Sequence, residues 1–326
     1  MATNLFVART PLQLFNCIEA RDRFHPGEDN RLLLGIRKGA DRDLMEEQLE
    51  SGWAQVRRVS LQGLGQHLYP WLLSSWLQDL GSLERCYLGL PRHLGAHVVN
   101  RSRPRLVVLV DDGNETLKIV GDLLRGAYVS DYGTPLRHRL LGKDTGLGFL
   151  EQAQFFTVYG PSLPLPAERI LANDYRCFRH RIQALPETDE VWIIGSRLVG
   201  SYLKDQEALL EALERLQAWY GDRRLVYVSH RYESARDRAA IQERLGLELR
   251  SFPCILERAV LREGRRPREV ASLRSTALDT LARLYGVPAR VFAVSREQVR
   301  TEAAWQELRA LYAHYQRSRI PVVSHD

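Results

Sequence analysis

Residues 105–113 read RLVVLVDDG, an unbroken apolar run at 106–110 that stops on two carboxylates and a glycine. A run without a polar face suits a parallel strand covered on both sides. Upstream, strand-length apolar runs recur at 4–8 (NLFVA), 32–36 (LLLGI), 56–60 (VRRVS) and 85–89 (RCYLG), with segments of helical period between them. That alternation predicts α/β architecture around a parallel sheet. The first strand runs straight into Thr10-Pro11-Leu12-Gln13. Thr10 can cap a helix, Pro11 fits the first helical position, and Gln13 stands three residues after the cap, as a capping box requires. Helix one therefore starts at the carboxyl end of strand one, the edge where open α/β sheets bind ligands.

Downstream the pattern breaks and then restarts. Residues 128–150 (YVSDYGTPLRHRLLGKDTGLGFL) are rich in Gly and Arg without a clear period and read as a mobile loop. Pro161, Pro164 and Pro166 follow, and an interdomain connection is expected between 160 and 187. New strands are predicted at 191–194, 225–229, 247–252 and 290–294, with helices at 205–220, 275–285 and 302–317. The expectation is two Rossmann-like domains, 1–170 and 171–326, facing a central cleft, with the closing helix a candidate to pack back on the first.

At 326 residues, 44% apolar and 26% charged, the chain can bury two such cores. Its net charge is +6 and its pI about 9.2. Only four of the 46 basic residues are lysine, and arginine's planar fork suits phosphate and carboxylate. The surplus is spread along the chain without a recognisable nucleic-acid module, which argues against a nucleic-acid binder. An anionic small molecule, an acidic glycan or a membrane surface fits the charge equally well. Cys17, Cys86, Cys177 and Cys254 stand far apart, with no CxxC and no histidine at zinc spacing. Neither a disulfide scaffold nor a metal site is expected, and a reduced cytoplasmic setting is the simplest reading. The N-terminal residues do not read as a signal peptide, and no run approaches the ~20 apolar residues of a membrane span. The richest, 68–80 (LYPWLLSSWLQDL), contains Pro70. Its Trp71-to-Trp76 segment reads as helix core, with a membrane-facing patch as the alternative.

Three patterns follow predicted strands. Asp111-Asp112-Gly113 puts adjacent acids at a strand end, where burial and like charge raise a carboxylate toward general-base range; a solvated turn carries the same letters. His230-Arg231 offers a proton donor beside a fixed charge, or a structural histidine. Ser275-Thr276 opens a helix, as a plain cap or as an anion site.

Their order is more telling than any one of them. A strand ending in Asp111-Asp112-Gly113 precedes a domain break, then a strand ending in His230, then Phe252-Pro253-Cys254-Ile255-Leu256-Glu257, then the Ser275-Thr276 helix start. Together with the Thr10-to-Gln13 stretch, this order resembles the bacterial GT-B sialyltransferases from Thr10 to about Leu278. It looks closest to the group holding lipooligosaccharide sialyltransferases (glycosyltransferase family 52) and capsular polysialyltransferases. The resemblance implies a GT-B fold and an inverting transfer of sialic acid from CMP-sialic acid to a glycan hydroxyl. It implies Asp112 as general base, with Asp111 orienting it or binding acceptor. His230 would meet the CMP phosphate, and Ser275 and Thr276 would bind the same phosphate. Glu257 would hold the ribose and Arg231 would line the donor site, while Gly195-Ser196 would make a tight turn near the donor or a plain strand-to-helix turn. Thr10, Pro11, Gln13 and Gly113 would lie on the acceptor side. The residues from Arg137 to Lys143 are candidates for holding an acidic or membrane-borne acceptor, at the inner face of a bacterial inner membrane.

One departure is plain: the family's His-Pro is His-Arg here, which frees the backbone and adds charge. The donor alternatives are therefore other CMP-activated acidic keto-sugars, namely Kdo, legionaminic acid and pseudaminic acid. A non-catalytic nucleotide- or glycan-binding protein on the same scaffold is the rival from outside catalysis. No cofactor or metal is expected, because CMP is already a good leaving group.

Overall fold

The computed structural model describes residues 2–37, 39–113, 115–128, 133–230, 233–275 and 277–324. The chain divides into two compact units, Met1–Cys177 and Phe178–Asp326.

In the first unit the strands are β1 (Thr3–Ala8), β2 (Asp29–Ile36), β3 (Gln55–Ser60), β4 (Leu83–Leu88), β5 (Leu106–Val110), β6 (Gln154–Thr157) and β7 (Ile170–Ala172). They pair in the order β3-β2-β1-β4-β5-β6-β7, every pair parallel. Helices α1 (Pro11–Phe24), α2 (Ala40–Glu47), α3 (Gly65–Asp79), α4 (Leu94–Ser102), α5 (Glu115–Leu124) and the short α6 (Leu136–Leu140) accompany them, and α7 (Arg176–Gln183) crosses the boundary. Four of the five residues of β5 are buried, as an apolar run with no polar face requires. By contrast β3 sits at the sheet edge with Arg57 and Arg58 exposed, charges that discourage pairing with another chain.

The second unit contains β8 (Val191–Ile194), β9 (Leu225–Val228), β10 (Glu248–Arg250), β11 (Glu269–Ser272), β12 (Ala289–Phe292) and β13 (Val322–Val323). Their order is β10-β9-β8-β11-β12-β13, again all parallel. Its helices are α8 (Gln206–Tyr220), α9 (Ala235–Leu245), α10 (Leu256–Glu263), α11 (Ala277–Tyr285) and α12 (Glu302–Arg317). In each sheet the strand order reverses beside the first strand, between β1 and β4 and between β8 and β11. Such a reversal opens a ligand crevice at the carboxyl ends of the strands.

Several expectations need correction. The boundary at 170/171 falls on the first residue of β7, which pairs with β6, so the first unit continues to Cys177. The described part of 128–150 is not a free loop. Asn100 Nδ2 donates to the carbonyls of Asp144 and Gly146, Thr134 Oγ1 donates to Asp144 Oδ1, and Leu147 and Leu150 are buried. The Trp71-to-Trp76 run splits: Trp76 is core, and Trp71 is 68% exposed. Inside the second unit, the Tyr312 hydroxyl of α12 donates to the Leu273 carbonyl and His314 meets Asp279. Among the described residues no helix is long and apolar enough to cross a membrane.

Candidate functional site

Asp112 follows β5 directly, and α1 reaches it from the neighbouring side of the reversal. The Thr10 hydroxyl donates to Asp112 Oδ1 at 2.8 Å, and Gln13 Nε2 donates to Oδ2 at 2.7 Å. Thr10 also caps α1 by accepting from the Gln13 amide. The capping box stops there, because Gln13 Oε1 accepts from the Arg9 N–H instead of the Thr10 N–H. Burial pushes the Asp112 carboxyl above its usual range, while the Gln13 and Thr10 donors and the Arg9 charge pull the other way. A carboxylate so balanced is a stronger base than one in water, and each oxygen keeps a lone pair for a substrate hydroxyl. Gly113 turns the chain away at φ +62°, in the left-handed region.

Gln13 and Pro11, the other residues expected on the acceptor side, are both buried. Gln13 has no exposed surface and both ends of its amide are committed, and Pro11 is buried at the start of α1. Gln13 thus holds Asp112 in place, and Pro11 starts the helix that carries Gln13. Asp111 likewise turns into the protein, 3% exposed. Its Oδ1 takes the Thr116 hydroxyl and its Oδ2 the Val158 N–H, each at 2.8 Å, which ties the end of β5 to α5 and to the residue after β6. Burial pushes it up to about 6 against those bonds. Both of its oxygens thus brace the Asp112 turn from within the protein.

Gly89 was missed from the sequence. A Cβ there would fall 2.2 Å from the Gln13 side chain, so glycine is what lets Gln13 cross beneath β4's end to Asp112. Asn16 was also missed; it donates to the Asp111 carbonyl and accepts from Asn173 Nδ2, both at 2.9 Å. A cavity of about 580 Å³ in this unit, bordered by Asn100, Arg103 and Thr134, takes in Arg139 of the 137–143 candidates and none of the other expected site residues.

In the second unit the expected donor residues line the carboxyl edge of adjacent strands. His230 follows β9 and Gly195-Ser196 follows β8, while Ser275 lies just past β11. The Ser196 hydroxyl donates to the Arg274 carbonyl at 2.5 Å, and the Ser272 hydroxyl donates to the Ile194 carbonyl at 2.7 Å, lacing the two strand exits across the reversal. Ser275 Oγ accepts from the Ala277 N–H at the start of α11, and its carbonyl takes the Tyr315 hydroxyl from α12. Glu257 lies in the first turn of α10 and is only 6% exposed. Arg231 and Thr276 lie outside the described residues.

The His230 turn has an organiser the sequence did not reveal. Glu233 Oε2 accepts the His230 N–H at 2.6 Å, the Glu233 N–H returns to the His230 carbonyl, and Glu233 Oε1 accepts the Tyr227 hydroxyl at 2.5 Å. This pair packs against the Gly195 main chain, where a Cβ would sit 2.8 Å from both the carboxylate and the phenol. Burial pushes Glu233 up to about 7.

The sequence matches no protein family and no curated protein. Solved structures do match. A 2,6-sialyltransferase from a Photobacterium species, in complex with CMP and lactose, superposes with a TM-score of 0.55 at 12% identity, covering 99% of this chain and 78% of that one. The GT-B domain of a Photobacterium damselae sialyltransferase gives 0.53 at 12%, over 99% and 100%. A UDP-GlcNAc 2-epimerase from Neisseria meningitidis, bound to UDP-GlcNAc, gives 0.53 at 11%, over 98% and 94%. At such identities, and with two chemistries represented, the likeness carries the fold alone: two Rossmann-like units of the GT-B type.

Proposed function

We propose that this protein is an inverting glycosyltransferase that moves a sialic-acid-type sugar from its CMP ester to a glycan hydroxyl. The observation that carries the reading is Asp112, a half-buried carboxylate beyond β5, gripped by Thr10 and Gln13 and raised by burial. In this reading Asp112 takes the proton of the acceptor hydroxyl as that oxygen bonds to the anomeric carbon. The bond from that carbon to the CMP phosphate breaks on the opposite face, and CMP leaves with the electron pair. His230, Ser275 and the α11 N-terminus provide the second unit's support for the negative charge growing on the phosphate. CMP needs little further activation, so the step does not call for a metal. The GT-B likeness supports a sugar-nucleotide substrate, and the motif order supports CMP over other nucleotides.

The test is CMP release from CMP-sialic acid by purified wild type, Asp112→Ala and His230→Ala, alongside thermal shifts with CMP, UDP and GDP. Asp112→Ala is expected to lose about 10²–10⁴-fold in turnover while keeping a CMP-selective shift. Wild-type turnover in both variants would overturn the assignment. Selective stabilisation by UDP would move the donor to another class.

A further inference from the structure

The outer face of α3 carries Leu64, at its N-terminal end, then Leu68, Trp71 and Leu72, all exposed. Leu136, Leu140 and Leu141, in and after α6, are exposed too, Leu140 at 78%. The two groups are held together by one consequence of sequence. Pro70 sits inside α3 and has no N–H, so the Gln66 carbonyl one turn earlier lacks its helical donor. Lys143 Nζ supplies it at 2.9 Å and lies 5.1 Å from the centre of the Tyr69 ring, while Gly142 packs against the Trp71 indole. The proline thus staples the α6 segment beside α3 and makes one apolar surface from two elements.

We infer that this surface is a docking face for an anionic lipid bilayer. Exposed contiguous apolar side chains on a soluble unit mark an interaction site. Charge identifies the occupant. Stretches 61–78 and 133–143 contain no acidic residue, whereas Arg137, Arg139 and Lys143 stand among the apolar side chains and exposed Arg57 donates to the Leu72 carbonyl. Asp79 and Asp144 lie just beyond these stretches, so the face is net basic: two copies of it repel each other, and it is attracted to anionic headgroups. Leucines and a tryptophan beside basic residues are the composition that lies in a membrane interface. The face begins where α3 leaves β3, and His138 of α6 stacks edge-on near His93 at the start of α4, so it borders the carboxyl edge that also carries Asp112. The inference does not depend on the CMP-sugar reading.

Flotation with phosphatidylcholine vesicles, with and without phosphatidylglycerol, tests it, together with sedimentation equilibrium of the protein alone. Wild type is expected to float with the mixed vesicles and to release as salt is raised. Trp71→Ser with Leu140→Ser should weaken partitioning about tenfold or more. Arg137→Glu with Arg139→Glu, which leaves the apolar side chains in place, should weaken it at least fivefold per charge removed. All four residues are exposed, so unchanged melting temperatures are expected. Failure of wild type to float, equal floating of the variants, or a dimer broken by Trp71→Ser without vesicle binding would each overturn the inference.

Discussion

Asp111 and Asp112 are adjacent, yet one turns inward to Thr116 and Val158 and the other toward Thr10 and Gln13. What separates them is which neighbours offer donors, and the donor that matters most for Asp112 depends on a residue with no side chain. Gly89→Ala would place a methyl 2.2 Å from the Gln13 chain, which has no free space to retreat into because Gln13 is wholly buried. Overpacking of this kind costs about 1–3 kcal/mol. Displacement of the Gln13 amide would leave Asp112 with one donor fewer and a looser aim, worth about tenfold or more in turnover. CMP-release rates and a urea melt check both effects. The CMP-induced thermal shift should persist, since Gly89 belongs to the first unit; full turnover in the variant would remove Gln13 from the positioning role.

At the scale of one element, α1 explains why the site is hard to read from its letters. Gln13, Asn16 and Glu19 recur every third residue, which looks like a solvent-facing stripe. All three are fully buried, and each meets a group from elsewhere in the first unit: Asp112, the Asp111 carbonyl with Asn173, and the Cys177 N–H. Buried polar groups must be paired, so Asn16→Leu should orphan both the Asp111 carbonyl and the Asn173 amide and cost about 2–4 kcal/mol. Urea unfolding with an unchanged slope is the check, and a loss under about 0.5 kcal/mol would refute it. The same logic separates the legible strands from the missed ones. Strand β5 announces itself because its burial is written in consecutive apolar residues. Strand β11 opens on Glu269, which is tolerable inside only because Arg290 and the Tyr220 hydroxyl reach it from β12 and α8. Strands β7 and β13 are three and two residues long, too short for a period. Asp112 and His230 were legible because each lies just past a predicted strand, and Ser275 because it opens a predicted helix. Gly89 and Asn16 were not, because their partners lie far along the chain, and Glu233 was not, because its letters do not tell a buried acid from a solvated one.

At the scale of the whole molecule, each unit holds a buried carboxyl, raised by burial, that links stability to pH. Glu233 is raised to about 7 from an ordinary 4.5, and Asp111 to about 6 from 3.8, burial being the first cause in both. A group raised on folding gives its full stabilising contribution below its unfolded value, and that contribution is lost as pH climbs through the folded one. The second unit should therefore weaken between pH 4.5 and about 7, by about 3 kcal/mol from Glu233. Glu190 of the same unit does not intrude. Burial opposes its charge, but hydrogen bonds from Arg250 and Trp192 overcome that and hold it at about 2, so its contribution is present above 4.5 and is lost only in stronger acid. In the first unit His97, pushed down to about 4 by burial, runs against Asp111 over the same window, so the total slope is a poor gauge there. The clean measurement is a difference. Glutamine reproduces the protonated Glu233, its Oε1 accepting from the His230 N–H and its amide donating to the Tyr227 oxygen. Unfolding curves of wild type and Glu233→Gln should run together near pH 4.5 and separate as pH rises to 7.5, wild type falling below the variant. Parallel curves across that range would mean that Glu233 is charged throughout and holds the His230 turn as an anion.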